Sequence, residues 1–264
     1  MKKLRIVVCA KQIPDPEVPL AAIKIDSQAK TFDIPGHTEV INPFDENALE
    51  AALRIKDGME AEVTVFSLGG PGVSPSTLRK ALAVGADQLI LLKDNAFERL
   101  DSFSVASLLS QAIRKLGDFD LVLTGRQAGD WDFGITGILL AEILGIPSIS
   151  IARSITVEES KVVVKEGVHG GYRVVKALMP ALVTVSNEVG ELRFPSMKDK
   201  LASARRPVTE WNAEDLGVAG DLRKFQIASL TAPPDMSRNC RFIEGGSPGE
   251  IGEKLAEAFF HDLH

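Results

Sequence analysis

The densest group of chemically able side chains lies in one loop, Gly125-Arg126-Gln127-Ala128-Gly129-Asp130-Trp131-Asp132-Phe133-Gly134-Ile135-Thr136-Gly137. It follows the apolar run Asp120–Thr124 and precedes a helical pattern running from about Gly134 to Leu144, so it leaves the carboxyl end of a strand. In open α/β sheets ligands bind at that edge. Free N–H groups at the start of the next helix would face an anion, and Gly134 and Thr136 leave room for one. The alternative is an acidic surface loop. Arg126, Asp130 and Asp132 beside an exposed Trp131 favour ligand binding.

Other candidates are weaker. Gly69-Gly70-Pro71-Gly72 sits between a strand and a helix, where backbone can approach a phosphate or ribose, but it is neither a Walker A nor a G-x-G-x-x-G sequence. A plain turn explains it equally well. Asn42-Pro43-Phe44-Asp45 opens a helix, and on spacing alone Asn42 reads as its cap. Cys9, at the end of the first strand, reads as an inert core thiol. The histidines, His37, His169, His261 and His264, are scattered, so neither a zinc site nor a Ser-His-Asp hydrolase is expected. No paired carboxylates and no nucleophile–base pair emerge. The residues describe a scaffold that holds a nucleotide and has no catalytic centre of its own.

The elements that must position these residues alternate through the first 150 positions. Leu4–Ala10, Ala61–Leu68, Gln88–Lys93 and Asp120–Thr124 are short apolar runs. Helical stretches follow at 42–58, Ser74–Val84 and Ser102–Leu116, and Gly58, Gly85 and Gly117 stop them. Strands separated by helices on short loops specify a mostly parallel sheet with helices on both faces. Residues 12–41 are Pro-rich and irregular, with a small hairpin near Ile23–Ile34. Ser154–Val157, Lys161–Lys165 and Tyr172–Ala177 read as an added antiparallel hairpin region, and Ala181–Val185 as a strand that rejoins the main sheet. Beyond Gly190 the chain is polar and loop-rich until a final amphipathic helix at Glu250–Leu263. Such a stretch fits an extended arm around a partner subunit; a flexible tail is the alternative. The expected division is 1–190, a nucleotide-binding α/β domain, and 191–264, a loop and C-terminal arm.

Composition limits the function classes. With 264 residues, 45% hydrophobic and 25% charged, the chain can bury a core without disulfides or metals. A net charge of -6 gives no basic excess for nucleic-acid binding. Two cysteines, Cys9 and Cys240, exclude a disulfide framework and suit a reducing compartment. No apolar run has transmembrane length. Met1-Lys2-Lys3 runs straight into a strand-like segment, so no signal peptide is expected and the location expected is cytoplasmic.

Five segments in order resemble the β subunit of electron-transfer flavoprotein, over about residues 4–217. They are Val7-Val8-Cys9-Ala10-Lys11-Gln12-Ile13-Pro14-Asp15-Pro16, Asn42-Pro43-Phe44-Asp45-Glu46-Asn47-Ala48-Leu49-Glu50-Ala51-Ala52, Ala81-Leu82-Ala83-Val84-Gly85-Ala86-Asp87, Asp120-Leu121-Val122-Leu123-Thr124-Gly125-Arg126-Gln127-Ala128, and the Gly170-Gly171 hairpin with Pro180-Ala181-Leu182-Val183-Thr184. The resemblance implies an obligate heterodimer with an α subunit that holds the redox FAD. It implies AMP buried in this chain by Cys9, Asn42, Pro43, Phe44, Asp45, Leu68 and the loop Gly125–Thr136, with Phe44 reaching toward the partner's flavin. It further implies acyl-CoA-type dehydrogenases as electron donors, docked at Met197, and a membrane quinone reductase as acceptor. A related electron-bifurcating class holds a second FAD, with an NADH site, in place of AMP. The loop departs from the family's usual Asp-Gly-Asp-Thr-x-Gln-Val/Thr-Gly: Trp131, Phe133 and Ile135 replace small or polar residues. Backbone contacts to phosphate survive that change and side-chain contacts do not, which favours a carrier over a bifurcating protein. A nucleotide-binding regulatory module of the universal-stress type is a third reading, which the long C-terminal segment opposes.

Overall fold

The computed structural model describes residues 3–220, 222–232 and 240–262. A nine-stranded sheet forms its centre. Its strands, in chain order, are β1 (Leu4–Cys9), β6 (Ala61–Gly69), β7 (Gln88–Lys93), β8 (Leu121–Gly125), β9 (Ser148–Glu158), β10 (Lys161–Val168), β11 (Gly171–Leu178), β12 (Ala181–Val185) and β13 (Thr209–Trp211). Two small antiparallel pairs lie between β1 and β6: β2 (Gln12–Pro14) with β5 (Glu39–Ile41), and β3 (Lys24–Asp26) with β4 (Thr31–Asp33). The second pair is the expected hairpin.

Across the sheet the order is β11-β10-β9-β12-β8-β1-β6-β7-β13. Every pairing from β9 to β13 is parallel, and β9-β10-β11 is antiparallel. The central strands are nearly continuous in apolar residues because both of their faces are covered. Alternation along β1 divides the core in two. Ile6 and Val8 join a cluster with Leu49, Leu53 and Leu78, under helices α1 (Pro43–Gly58) and α2 (Pro75–Val84). Val7 and Cys9 join Leu108, Ile113 and Leu140 on the other face, under α3 (Ser102–Leu116) and α4 (Thr136–Leu144).

Three features differ from the sequence reading. Strand β9 begins six residues earlier than expected, at Ser148, pairs with β12, and only then continues into the hairpin. It bends at Ile151, whose φ of 51° lies in the left-handed region where β-branched residues are rare, beside a register irregularity opposite β12. One strand thereby joins the parallel and antiparallel parts. Second, after α5 (Met197–Ala204) the stretch beyond Gly190 is not only loop: it forms β13, which adds to the sheet edge beside β7. Trp211 of β13 packs its ring 5.9 Å from that of Phe66. Third, Asn42 occupies the cap position of α1 without a side-chain capping bond; its amide is committed elsewhere, as described below. Helix α6 (Pro248–Asp262) closes the described chain. Among the described residues no helix is long and apolar enough to cross a membrane.

Candidate functional site

From β1 the chain passes to β6 on one side, and from β8 it passes to β9 and β12 on the other. Strands β1 and β8 are neighbours, so the crevice at their carboxyl ends is the topological switch point of the sheet. A cavity of about 900 Å³ opens there. Cys9, Leu68 and Thr124, at the ends of β1, β6 and β8, line it; Asn42 and Asp45 approach from the start of α1. Gly125, Arg126, Gln127, Ala128, Trp131, Phe133, Gly134, Ile135 and Thr136 border it from the loop before α4. Of the residues singled out in the sequence, Pro43, Phe44, Gly129, Asp130 and Asp132 do not line it. Nor do Gly69, Gly70, Pro71 and Gly72: the Gln12 side-chain amide donates to the Gly72 carbonyl and accepts from the Ser74 amide, which holds that turn as structure.

Helix α1 and the loop are locked together. The Asp45 carboxylate accepts from the Lys11 amide and from the Gly125 amide, each at 2.8 Å, tying the ends of β1 and β8 to one helix. Asn42 donates to the Gln127 carbonyl at 2.8 Å and accepts from the Gly129 amide at 3.2 Å. That brace is why it does not cap α1. Burial raises the Asp45 carboxyl to about 6, and the hydrogen bonds from Lys11 and Gly125 oppose it only in part. The Cys9 thiol is pushed well up, first by burial and then by the Asp45 charge, so it is no nucleophile at neutral pH.

The loop's side chains largely satisfy one another. Asp130 pairs with the Lys11 ammonium, and Asp132 accepts from the Gln127 amide at 2.6 Å. The Arg126 guanidinium lies over the Phe44 ring, 4.9 Å from its centroid. Trp131 is half-buried rather than exposed: its ring stacks on Phe133 at 6.1 Å and 18° and meets Phe32 of β4 at 5.7 Å. These three aromatics also line the cavity, giving it an apolar wall.

Three polar features beside the cavity lack partners among the described residues. The Thr124 hydroxyl and Arg126 Nε are buried with no hydrogen-bond partner among the described residues, and both residues line the cavity. Ile135 holds the cap position before α4 and makes no side-chain capping bond, so the first N–H groups of α4 have no side-chain acceptor at its positive end. Gly137 lets α4 come this close: a Cβ there would stand 2.5 Å from Thr124 Oγ1 and 2.9 Å from Thr184. The set suits an anionic group at α4 and a planar ring against the aromatic wall.

Several lining residues carried no signal in the sequence. Phe32 lay in an irregular stretch, and Leu100, Asp101, Ser102 and Val105 belong to the start of α3, which read only as a helix terminus. Arg223, Phe225, Gln226 and Ile227 lie about a hundred residues from the loop they face.

Fold and cavity define an open, doubly wound α/β protein with a ligand-sized cleft at the switch point of its sheet. The family model described as "Electron transfer flavoprotein domain" matches residues 31–216, and the chain belongs to that family. It is 38% identical over 217 residues to the caffeyl-CoA reductase-Etf complex subunit CarD of Acetobacterium woodii, covering 82% of this chain and 81% of that one. It is 36% identical over 248 residues to the electron transfer flavoprotein subunit beta of Megasphaera elsdenii, covering 89% of each. It is also 36% identical over 270 residues to protein FixA of Azorhizobium caulinodans, covering 97% of this chain and 94% of FixA.

Proposed function

We propose that this chain is the β subunit of a heterodimeric electron-transfer flavoprotein and that its cavity holds AMP. In this reading an α subunit holds the FAD, which supplies reversible electron acceptance. Electrons enter from acyl-CoA-type dehydrogenases and leave to a quinone reductase or another acceptor, in the cytoplasm. This chain shapes the flavin's surroundings, with Phe44 facing the partner, and docks the donor at Met197. Residues 1–190 supply the nucleotide-binding domain, and 191–264 the docking loop and the arm, with β13 returning to the sheet.

The observation that carries the reading is the pairing of an uncapped helix start with the unpartnered, buried Thr124 hydroxyl in one cavity at the switch point. The α4 N–H groups would take the phosphate, Thr124 and Arg126 would supply further hydrogen bonds, and Asn42 and Asp45 would keep the loop in place. Pairing is supported by exposed apolar side chains on two elements: Tyr172, Val174 and Leu178 on β11, and Ile251, Leu255 and Phe259 on α6. Exposed apolar side chains in a row on one strand and at helical spacing on one helix suit faces that a partner covers. A relative named as a subunit of a caffeyl-CoA reductase-Etf complex supports a CoA-ester enzyme as redox partner, although a reductase makes that ester the electron acceptor.

A second reading, a bifurcating subunit with its own FAD and an NADH site, is favoured by the cavity's size. About 900 Å³ is near the top of the roughly 300–1,000 Å³ range of small-molecule sites. FAD contains AMP plus a second phosphate, a ribityl chain and a three-ring flavin that the aromatic wall would stack on. One experiment separates the readings. The chain is purified with its α subunit and denatured, and the released nucleotides are identified by mass spectrometry. One AMP and one FAD per heterodimer is the expected result; two FAD and no AMP supports bifurcation. A chain that stays a stable monomer beside a coexpressed α subunit would sink both.

A further inference from the structure

The start of the C-terminal arm crosses to the nucleotide cavity and is fastened there by one carboxylate. Asp101 sits at the cap position of α3. Its Oδ1 accepts from the Ser104 amide at 3.0 Å, as an N-cap does. Its Oδ2 accepts from the Ser104 hydroxyl at 2.8 Å and from the amides of Lys224 at 2.6 Å and Phe225 at 3.2 Å, more than 120 residues away. The Ser104 hydroxyl also lies within hydrogen-bond reach of the Leu222 carbonyl, and its single proton serves either that carbonyl or Asp101 Oδ2. Leu222 packs against the core cluster on the α3 face, but Phe225 and Ile227 belong to neither core cluster, and Phe225 is 69% and Ile227 42% exposed. Burial of apolar side chains therefore does not hold the segment past Leu222. A charge-assisted pair of backbone hydrogen bonds does.

We propose that residues 223–227 are part of the nucleotide-binding site, and that Asp101 is the positioning residue that latches them over the bound nucleotide and slows its release. The proposal rests on the cavity being a nucleotide site. Arg223, Phe225, Gln226 and Ile227 line the same cavity as Thr124 and the α4 start, and Asp101 and Ser102 line it next to them. A ligand that touches the segment favours its latched state, and by linkage the latched state holds the ligand more tightly. Asp101 is suited to this task at every physiological pH. Partial burial raises its carboxyl, but the hydrogen bonds from Ser104, Lys224 and Phe225 outweigh it and hold the group at about 2.

The test separates the latch from the cap. Asp101→Ser keeps an oxygen that can cap the Ser104 amide, yet is too short to reach Lys224 and Phe225. The probe is N-methylanthraniloyl-AMP bound to the intact heterodimer and chased with unlabelled AMP. The variant should release it about tenfold faster, the effect of losing hydrogen bonds to a charged acceptor, with a thermal midpoint close to that of the parent. Hydrogen exchange supplies a check on the unmodified heterodimer: the peptide covering 222–227 should exchange several-fold more slowly with AMP than without. Equal release rates in parent and variant, or exchange at 222–227 that ignores AMP, overturns the latch while leaving the cavity reading intact. A parent heterodimer that binds no adenine nucleotide overturns both.

Discussion

Gly125 and Asp45 meet so closely that position 125 has no room for a side chain. The Gly125 amide donates to Asp45 Oδ1 at 2.8 Å, and a Cβ at Gly125 would stand 2.5 Å from that same oxygen and 2.7 Å from the Phe44 carbonyl carbon. The end of β8 thus rests directly on the start of α1, with no space for a side chain between them.

Gly125→Ala should therefore push α1 away from β8. The expected loss is roughly 1–3 kcal/mol, typical of overpacking in a close-fitted interior. Urea unfolding measures it, and AMP retention should fall with it. Gly129→Ala is the control, because its nearest neighbour would be Ile13 at an ordinary 3.4 Å. Equal stabilities for the two variants would refute the close contact.

Asp45 makes stability depend on pH with an unusual sign. Its carboxyl titrates at about 6 in the folded protein against 3.8 for the ordinary group, because of burial. Between those values the folded chain holds a proton that the unfolded chain has lost, so Asp45 costs stability as pH rises from about 4 to about 6. The full effect is on the order of 3 kcal/mol. Asp45→Asn lacks this titration. The thermal midpoint of the parent minus that of the variant should shrink steadily from pH 4 to pH 6.5; a constant or growing difference would remove Asp45 as the cause.

Thr124→Val should trade stability against binding. It removes a buried hydroxyl that has no partner among the described residues, while nearly keeping the shape. The nucleotide-free chain should gain up to about 1 kcal/mol, and affinity for AMP should fall by about tenfold. Calorimetry with and without AMP reads both. If binding is unaffected, the hydroxyl does not face the ligand.

Met197 begins α5, is 70% exposed, and follows Ser196, whose hydroxyl caps the helix by accepting from the Asp199 amide. The base of this segment is rigid: Arg193 donates through its backbone amide and guanidinium to buried Glu50 and through its guanidinium to Asp57, both on α1. Met197→Ala should slow electron transfer from the donor dehydrogenase by the loss of about 1–2 kcal/mol of docking energy. The flavin spectrum, heterodimer and thermal midpoint should hardly change. A lower midpoint with normal transfer per folded molecule would make Met197 a packing residue instead.

Much of the fold was legible in the sequence because its signals are local. Apolar runs of strand length, Pro43 at a helix start, and Gly85 and Gly117 just past helix ends act within a few residues of themselves, and each element they mark is present. The loop 125–137 was legible for the same reason, as strand end, glycines and helix start in one segment. Three-residue β13 had too few positions to show alternation, and of β9 only Ser154–Val157 reads as strand, because the part around its bend at Ile151 is defined by pairing with β12.

What only the tertiary structure decided is which distant groups use the same space. Asn42 reads as a helix cap, yet its amide goes to Gln127 and Gly129, some 85 residues on. Nothing in the sequence singles out Asp101; it does cap α3, and its second oxygen also takes two amides of the C-terminal arm. Capping is a local bond that any Asn or Asp at that position can make, so the sequence determines the helix start. Whether a side chain turns instead to a longer-range donor depends on which strands lie side by side, and strand order is set by burial summed over the whole sheet, a quantity that no short window of residues contains.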